Sequence, residues 1–241
     1  SSDVCSSDLP AVLYLGVWGS SATDVWVVGA SGTTLRFNGS SWSTVPSPSG
    51  AILSAVWGSG KDDVWSVGTA GSIIHWDGSA WTAQTTGVMA QLRDLWGVSN
   101  NNVWAVGSEG TLLNWNGTAW SAQTSGTSQG LWRLYGTDAN NVWVVGEGGT
   151  ILKWNGSAWS AQSSGTTQIL YGVWGTGTNN IWAVGDVGTI LRWDGSAWTA
   201  ENGGATQILL DVGGASANNA WAVGFGGALL RRNGSAWSWG P

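Results

Sequence analysis

Apolar residues occur along this chain in short runs that are separated by turns rich in glycine, serine and asparagine. The segment 169–207 shows the pattern most clearly, with apolar runs at Ile169–Trp174, Ile181–Val184, Thr189–Trp193 and Ala197–Ala200. Short runs that are rich in β-branched and aromatic residues and bounded by turn residues are typical of β-strands. The segment therefore predicts four short antiparallel strands.

Turn residues support this prediction. Asp194, Gly195 and Ser196 separate the third run from the fourth, and an Asp-Gly pair supplies the positive φ angles of a tight hairpin. Glycine pairs such as Gly146 and Gly149 suit a bend between the second and third strands, where a side chain would clash or φ must be positive. The frequent glycines also argue against a helical repeat.

The same pattern returns every 39 residues, six times in succession, without an insertion or a deletion. One tryptophan position recurs as Trp26, Trp65, Trp104, Trp143, Trp182 and Trp221, and another as Trp42, Trp81, Trp120, Trp159, Trp198 and Trp237. A fixed period near forty residues with four strands in each unit is typical of β-propeller blades. The sequence therefore predicts an all-β fold, a β-propeller of six four-stranded antiparallel blades.

The repeat divides the chain into a leader, residues 1–12, which we expect to be unstructured, and one propeller domain, residues 13–241. The predicted blades are 13–51, 52–90, 91–129, 130–168, 169–207 and 208–241. A propeller must close or otherwise protect its terminal strand edges. A closed ring of six blades is the favoured arrangement, and a piece of a protein with seven or more blades is the alternative.

Two parts of the chain resemble known sequences. The string Val184–Ala200, with Leu170–Thr176 before it, resembles the BNR/Asp-box-like repeats of the photosystem II assembly-factor type, which also occur in many bacterial secreted propellers. This resemblance covers residues 13–241 and implies a propeller fold, a bacterial source and an extracellular or cell-surface location. Ser1–Leu9 resemble a translated sequencing adapter, so we expect this segment, with the only cysteine, Cys5, to be an artefact.

Composition narrows the classes of partner. Charged residues are 9% of the chain, against about 25% in an average globular protein, and the 22 tryptophans supply much of the apolar core. The net charge is −6 and the lysines and arginines form no patch, so nucleic acid is not an expected partner. No apolar run approaches the length of about 18 residues that spans a membrane. Because histidine and cysteine clusters are absent, we expect no metal centre. We also expect a monomer without a cofactor.

Most tryptophans are interpreted as packing between blades. One set lies next to the hairpin turn and is a candidate for stacking on sugar rings, namely Trp76, Trp115, Trp154 and Trp193. Arg232 occupies the same position in the sixth repeat, which suggests that this position is partly exposed. Exposed aromatic faces are suitable platforms for carbohydrate, so a lectin-like propeller is one hypothesis.

Positions at which the six repeats differ from one another predict a ligand site. The innermost strands carry Asp94, Arg133 and Asp211 where the other repeats have Gly or Ala. The turns after the second strands add Glu109, Glu147 and Asp186. These six residues are the predicted ligand-binding set at the mouth of the propeller channel, and unconstrained surface is the alternative.

Catalysis finds little support in the sequence. His75 is the only histidine and has no evident partner, and the arginines fall mostly in different repeat positions. Asp94 and Asp211 leave a glycan-active enzyme as a remote alternative. The favoured prediction is a non-catalytic binding or scaffold module that mediates protein–protein interaction. A lectin-like module that binds polysaccharide is the second hypothesis.

Overall fold

The computed structural model describes residues 9–240, so the adapter-like segment with Cys5 lies outside the described residues, apart from Leu9. Six four-stranded sheets make up the fold, and in each sheet the strands are neighbours in chain order. The predicted fold class is confirmed, because the chain is an all-β propeller of six antiparallel four-stranded blades. No helix in this part of the chain is long and apolar enough to cross a membrane.

The chain separates into two compact units, of which the first holds the described residues up to Gly107 together with Leu113–Gln123. Its three blades are built from β1 (Tyr14–Ser21), β2 (Asp24–Gly29), β3 (Thr34–Phe37) and β4 (Trp42–Thr44); β5 (Leu53–Gly60), β6 (Asp63–Gly68), β7 (Ile73–Trp76) and β8 (Trp81–Gln84); and β9 (Leu92–Ser99), β10 (Asn102–Gly107), β11 (Leu112–Trp115) and β12 (Trp120–Ala122). Leu112, the first residue of β11, falls in the second unit.

The second unit holds Ser108–Leu112 and the described residues from Thr124 onward. Its three blades are built from β13 (Leu131–Asp138), β14 (Asn141–Gly146), β15 (Ile151–Trp154) and β16 (Trp159–Gln162); β17 (Leu170–Gly177), β18 (Asn180–Gly185), β19 (Ile190–Trp193) and β20 (Trp198–Glu201); and β21 (Leu209–Ser216), β22 (Asn219–Gly224), β23 (Leu229–Asn233) and β24 (Ala236–Trp239).

A tight turn joins the second strand of each blade to the third, and glycine is required at both of its ends. A Cβ atom on Gly185 would lie 1.9 Å from the Ile169 carbonyl oxygen, because the start of the first strand runs close beside it. Gly188 adopts φ +66, a conformation that side chains disfavour. The glycine pair therefore combines the two causes that the sequence predicts, a close approach and a positive φ.

Tryptophans fill the space between successive blades within each unit. In the first unit the Trp26 ring packs against Trp76 and Trp81 of the next blade, with ring centroids 4.9 and 5.0 Å apart. In the second unit Trp143 shares a buried cluster with Trp193 and Trp198 of the next blade. Within a unit, a blade thus contacts the next blade through its Trp26-position tryptophan and the preceding blade through its Trp76- and Trp81-position tryptophans.

Candidate functional site

Arg133 and Asp211, two of the predicted ligand residues, form an ion pair in the second unit, with Nη2 and Oδ2 3.2 Å apart. They occupy the same repeat position two blades apart. Gly172 occupies this position in the blade between them, where a Cβ atom would lie 2.8 Å from the Cα of Asp211. The absence of a side chain at Gly172 therefore leaves room for the pair.

A second group of polar and aromatic side chains lies around Tyr171 on β17, and we refer to Trp132, Glu147, Tyr171 and Asp186 as the Tyr171 cluster. The Trp132 ring meets the Tyr171 ring edge to face, with centroids 5.2 Å apart. Burial raises the pKa of the Tyr171 phenol, and the negative charges of Asp186 and Glu147 with a hydrogen bond to Asp186 raise it further. Tyr171 is therefore a neutral hydrogen-bonding group at physiological pH.

The two acids of the Tyr171 cluster begin the tight turns of the fourth and fifth blades. Glu147 accepts a hydrogen bond from the Gly130 backbone N–H at 3.0 Å. The Asp186 N–H donates to the Ile169 carbonyl oxygen at 2.9 Å, which fixes the turn against the first strand of its blade. The backbone thus holds both carboxylate-bearing residues near Tyr171.

The residue after Asp186 has an unusual backbone conformation. Val187 has φ +55 and is exposed at the apex of its turn. A β-branched residue in the left-handed region is an outlier, while the same apex is glycine in the fourth and sixth blades, at Gly148 and Gly226. The same positive φ recurs at this turn position in the first unit, at Ser31 and Ala70, so the conformation belongs to the repeated turn.

Glu109 and Asp94 complete the six predicted ligand residues. Glu109 belongs to the second unit and is exposed at the apex of its turn, again with a positive φ of 57. Asp94 belongs to the first unit and is buried on β9. Ligand binding by the set stays a prediction, and the described contacts join Arg133 with Asp211 and both Glu147 and Asp186 with Tyr171.

The tryptophans proposed for sugar stacking differ in exposure. Trp76 and Trp193 are each 6% exposed, so neither ring has a free face for a sugar. Trp115 and Trp154 are half-buried, and their indole N–H groups donate to the carbonyl oxygens of Asn100 and Ala139. Only these two remain candidates for stacking.

The expected exposure of Arg232 is wrong, since this residue is only 3% exposed. Its Nη2 lies 3.2 Å from Oε1 of Glu201, and its guanidinium stacks 5.0 Å from the centroid of the Trp182 ring. Glu201 also accepts indole hydrogen bonds from Trp182 and Trp237. Arg232 therefore replaces a packing tryptophan because a neighbouring acid neutralises it, and its position says nothing about a ligand.

His75 has a partner that the sequence pattern does not reveal. Its Nε2 lies 2.6 Å from Oδ1 of Asp63, and its ring stacks on Trp65 with centroids 3.9 Å apart. Partial burial raises the pKa of the Asp63 carboxyl, but hydrogen bonds from His75, Ser59 and Trp65 and the charge of His75 outweigh burial and lower the pKa overall. The pair links the second and third strands of its blade.

Several basic residues share one repeat position, contrary to the expectation that the arginines are scattered. Each lies opposite the Trp26-position tryptophan of its own blade, and the set is Arg36, His75, Lys153, Arg192 and Arg231. Arg36 lies 5.1 Å from the centroid of Trp26, and Lys153 lies 5.3 Å from that of Trp143. These residues are separated by multiples of the 39-residue repeat, so an alignment of the six repeats would have revealed this cation–π position in the sequence.

Two residues of the Tyr171 cluster were not singled out by the sequence pattern. Trp132 and Tyr171 stand one position before Arg133 and Gly172, in a repeat position that is Leu, Ser or Arg in other blades. This change of residue type was the signal in the sequence that could have identified Trp132 and Tyr171.

A groove of about 810 Å³ lies next to the Tyr171 cluster. It is lined by Gly148 and by Ser163–Thr167, among other residues.

Titratable groups in the described residues give no sign of a metal centre. Within residues 9–240 no three His, Cys, Asp or Glu side chains are grouped so that they could hold a metal ion. The arrangement around Tyr171 instead combines aromatic edges, carboxylates and one ion pair. Such a surface can recognise cationic and hydrogen-bonding side chains.

No known protein family matches the sequence, and no curated protein matches it. Solved structures do resemble it. YCF48 from Cyanidioschyzon merolae has a TM-score of 0.73 and 17% identity, over 97% of this chain and 87% of that chain. A structure of YCF48 bound to D1 peptide has a TM-score of 0.66 and 18% identity, over 92% and 93% of the two chains. The WD40 repeats of RRP9 have a TM-score of 0.77 and 9% identity, over 92% and 77%. At these identities the similarity shows the propeller fold alone.

Proposed function

We propose that this chain is a non-catalytic module that binds a peptide segment of a partner protein at the Tyr171 cluster. The cluster carries the proposal because it places an aromatic pair and two carboxylates on the ends of rigid strands and turns. Sites on rigid elements bind with little ordering cost. The structure of YCF48 bound to D1 peptide supports the proposal by example, since a protein of similar fold binds a peptide.

The side chains indicate the chemistry of the peptide. Glu147, Asp186 and Asp211 carry negative charge at this end of the second unit, and Arg133 is already paired with Asp211. Lysine and arginine side chains interact favourably with carboxylates and with aromatic faces. A peptide with a basic residue is therefore the proposed ligand, and its binding weakens as ionic strength rises.

A library of random peptides displayed on phage, panned against residues 10–241, tests this proposal. Enriched basic peptides are then measured by calorimetry with the Asp186→Asn and Tyr171→Phe variants, which we expect to bind at least about tenfold more weakly. Asp62→Asn is the matched control, because Asp62 is an exposed acid in the first unit that is bonded only to Lys61. Equal affinity of all three variants would contradict the site.

The carbohydrate hypothesis is kept for Trp115 and Trp154 because these two residues are only partly buried. A glycan array probed with the same residues decides this point. Saturable binding that Trp154→Ala removes would identify a lectin-like module, and a blank array from folded protein would leave the peptide proposal alone. An extracellular or cell-surface location is also proposed, and the resemblance of the repeat to secreted propellers supports it.

A further inference from the structure

The fourth and fifth blades of the second unit each carry one apolar face that the next blade covers. Trp143, Val145 and Ile151 of the fourth blade are buried against Leu170, Trp193 and Trp198 of the fifth. Trp182, Val184 and Ile190 of the fifth blade are likewise buried against the sixth, where Leu209, Leu230 and Trp237 receive them. The interfaces between the fourth and fifth blades and between the fifth and sixth blades therefore show which residues cover such a face.

The sixth blade carries the same face, and we call Trp221, Val223, Leu229 and Arg231 the sixth-blade face. Its residue types match the covered faces position by position, with tryptophan, valine, an aliphatic residue and a cation. Its exposure does not match. Val223 is 43% exposed, whereas Val145 and Val184 are 0% exposed.

Phe225, in the turn that follows β22, is also exposed (58%). Large apolar side chains that are exposed together, rather than singly, mark a surface at which another element packs. A face that keeps the residue types of a buried interface while it is exposed is fitted to the element that covers the others.

Arg231, the cation of the sixth-blade face, indicates which side chain the covering element must supply. Lys153 lies 5.3 Å from the ring centroid of Trp143 in its own blade and 4.9 Å from that of Trp193 in the next blade. Arg231 occupies the same position and lies 5.3 Å from Trp221 of its own blade. A tryptophan at the position of Trp193 in an added blade would complete the same arrangement.

We propose that the sixth-blade face docks one further blade of this repeat, with leucine at the position of Leu170 and tryptophan at those of Trp193 and Trp198. A second copy of this chain fits less well. Its first blade has Tyr14 in place of that leucine and Phe37 in place of the first tryptophan. Phenylalanine is a weaker partner for a cation than tryptophan.

The test adds a blade to the full chain by appending a copy of residues 164–207 after residue 241, which continues the 39-residue register and keeps the length of the connection between blades. Thermal unfolding is measured for the chain with and without the added blade, and we expect the added blade to raise Tm by roughly 5 °C or more. An added blade in which the copies of Trp193 and Trp198 are serine is the control, and it should give no gain. Circular dichroism confirms that each protein is folded.

Val223→Asp locates the effect on the proposed face. In the unextended chain this change should shift Tm by less than about 2 °C, because the side chain is exposed. In the extended chain it should abolish the gain, while Val98→Asp, at a valine of similar exposure (38%) in the first unit, should leave the gain intact. No gain from the added blade, or a gain that survives Val223→Asp, would overturn the proposal. Sedimentation that shows Val223-dependent self-association of the unextended chain would also overturn it, in favour of a second copy.

Discussion

Glu201 and Arg232 form an ion pair between two successive blades, with Oε1 and Nη2 3.2 Å apart and the arginine side chain only 4% exposed. Both residues depart from the repeat. Glu201 stands where Gln84, Gln123 and Gln162 stand in other blades, and Arg232 stands where four other blades have tryptophan. The two departures compensate each other, because a buried guanidinium requires a neighbouring negative charge.

A double-mutant cycle tests this compensation. Glu201→Gln leaves Arg232 buried without a negative partner, so we expect it to lower the free energy of unfolding by about 3 kcal/mol. Arg232→Trp alone should also destabilise, because the Glu201 carboxylate loses its cation. The double variant restores the residue types of the other blades and should be more stable than the sum of the single effects, by about 1–3 kcal/mol. The free energy of unfolding in urea is measured for all four proteins. If the effects of the two single substitutions simply add in the double variant, the pairing is contradicted.

A carboxylate within the second blade suggests a pH experiment, because Asp63 accepts hydrogen bonds from His75, Ser59 and Trp65. The pKa of this carboxyl lies below its ordinary value of 3.8 when the protein is folded. Its contribution to stability is therefore present above that value and is lost as pH falls through the lower folded pKa. Asp63→Asn should cost about 1–3 kcal/mol at neutral pH and markedly less near ~pH 2.

The third blade supplies the control for that experiment. It has Asn102 and Asn114 in the positions of Asp63 and His75, and Asn114 Nδ2 donates to Asn102 Oδ1 at 3.3 Å. The double variant Asp63→Asn with His75→Asn should reproduce this pair and regain part of the lost stability at neutral pH. A stability loss for Asp63→Asn that is the same at both pH values would exclude the ionised carboxylate as its cause.

Backbone strain at Val187 makes a third prediction. Its φ of +55 suits glycine, so Val187→Gly should raise the free energy of unfolding by about 1 kcal/mol in spite of the greater freedom of the unfolded chain. Gly148→Val makes the reverse change at the same turn position of the fourth blade, where φ is +61, and should destabilise by a similar amount. Equal melting temperatures for both variants and the parent chain would show that the turn is not strained.

Much of the fold follows from local patterns in the sequence, because the determining interactions lie within one repeat. The Asp194 turn is an example. Asp194 Oδ1 accepts hydrogen bonds from the Ser196 and Ala197 N–H groups, which lower the pKa of the carboxyl to about 2, and Gly195 has φ +104. A three-residue pattern contains all of this information, so the predicted hairpin needs no knowledge of the neighbouring blades.

Two of the contacts that sequence reasoning missed join different repeats. Arg232 is buried because Glu201, in the preceding blade, reaches it. Trp132 and Tyr171 meet because two innermost strands run side by side, although their residue numbers place them one repeat apart. Single-position comparison of the repeats shows that these residues are unusual, and it does not show what each one contacts.

The last prediction separates ligand binding from stability at the Arg133–Asp211 pair. The two side chains are 37% and 50% exposed, and exposed ion pairs contribute only about 0–1 kcal/mol to stability. Asp211→Asn should therefore leave the urea midpoint almost unchanged. It also removes a negative charge from the strand that lies next to Gly172 and breaks the ion pair with Arg133, so a basic peptide should bind more weakly and with a smaller dependence on salt. Arg133→Gln should have the opposite effect on affinity, because the carboxylates then face the peptide without a competing cation. If calorimetry finds that both variants bind the peptide as the parent chain does, then the pair lies outside the binding surface, and the peptide is recognised by the Tyr171 cluster alone.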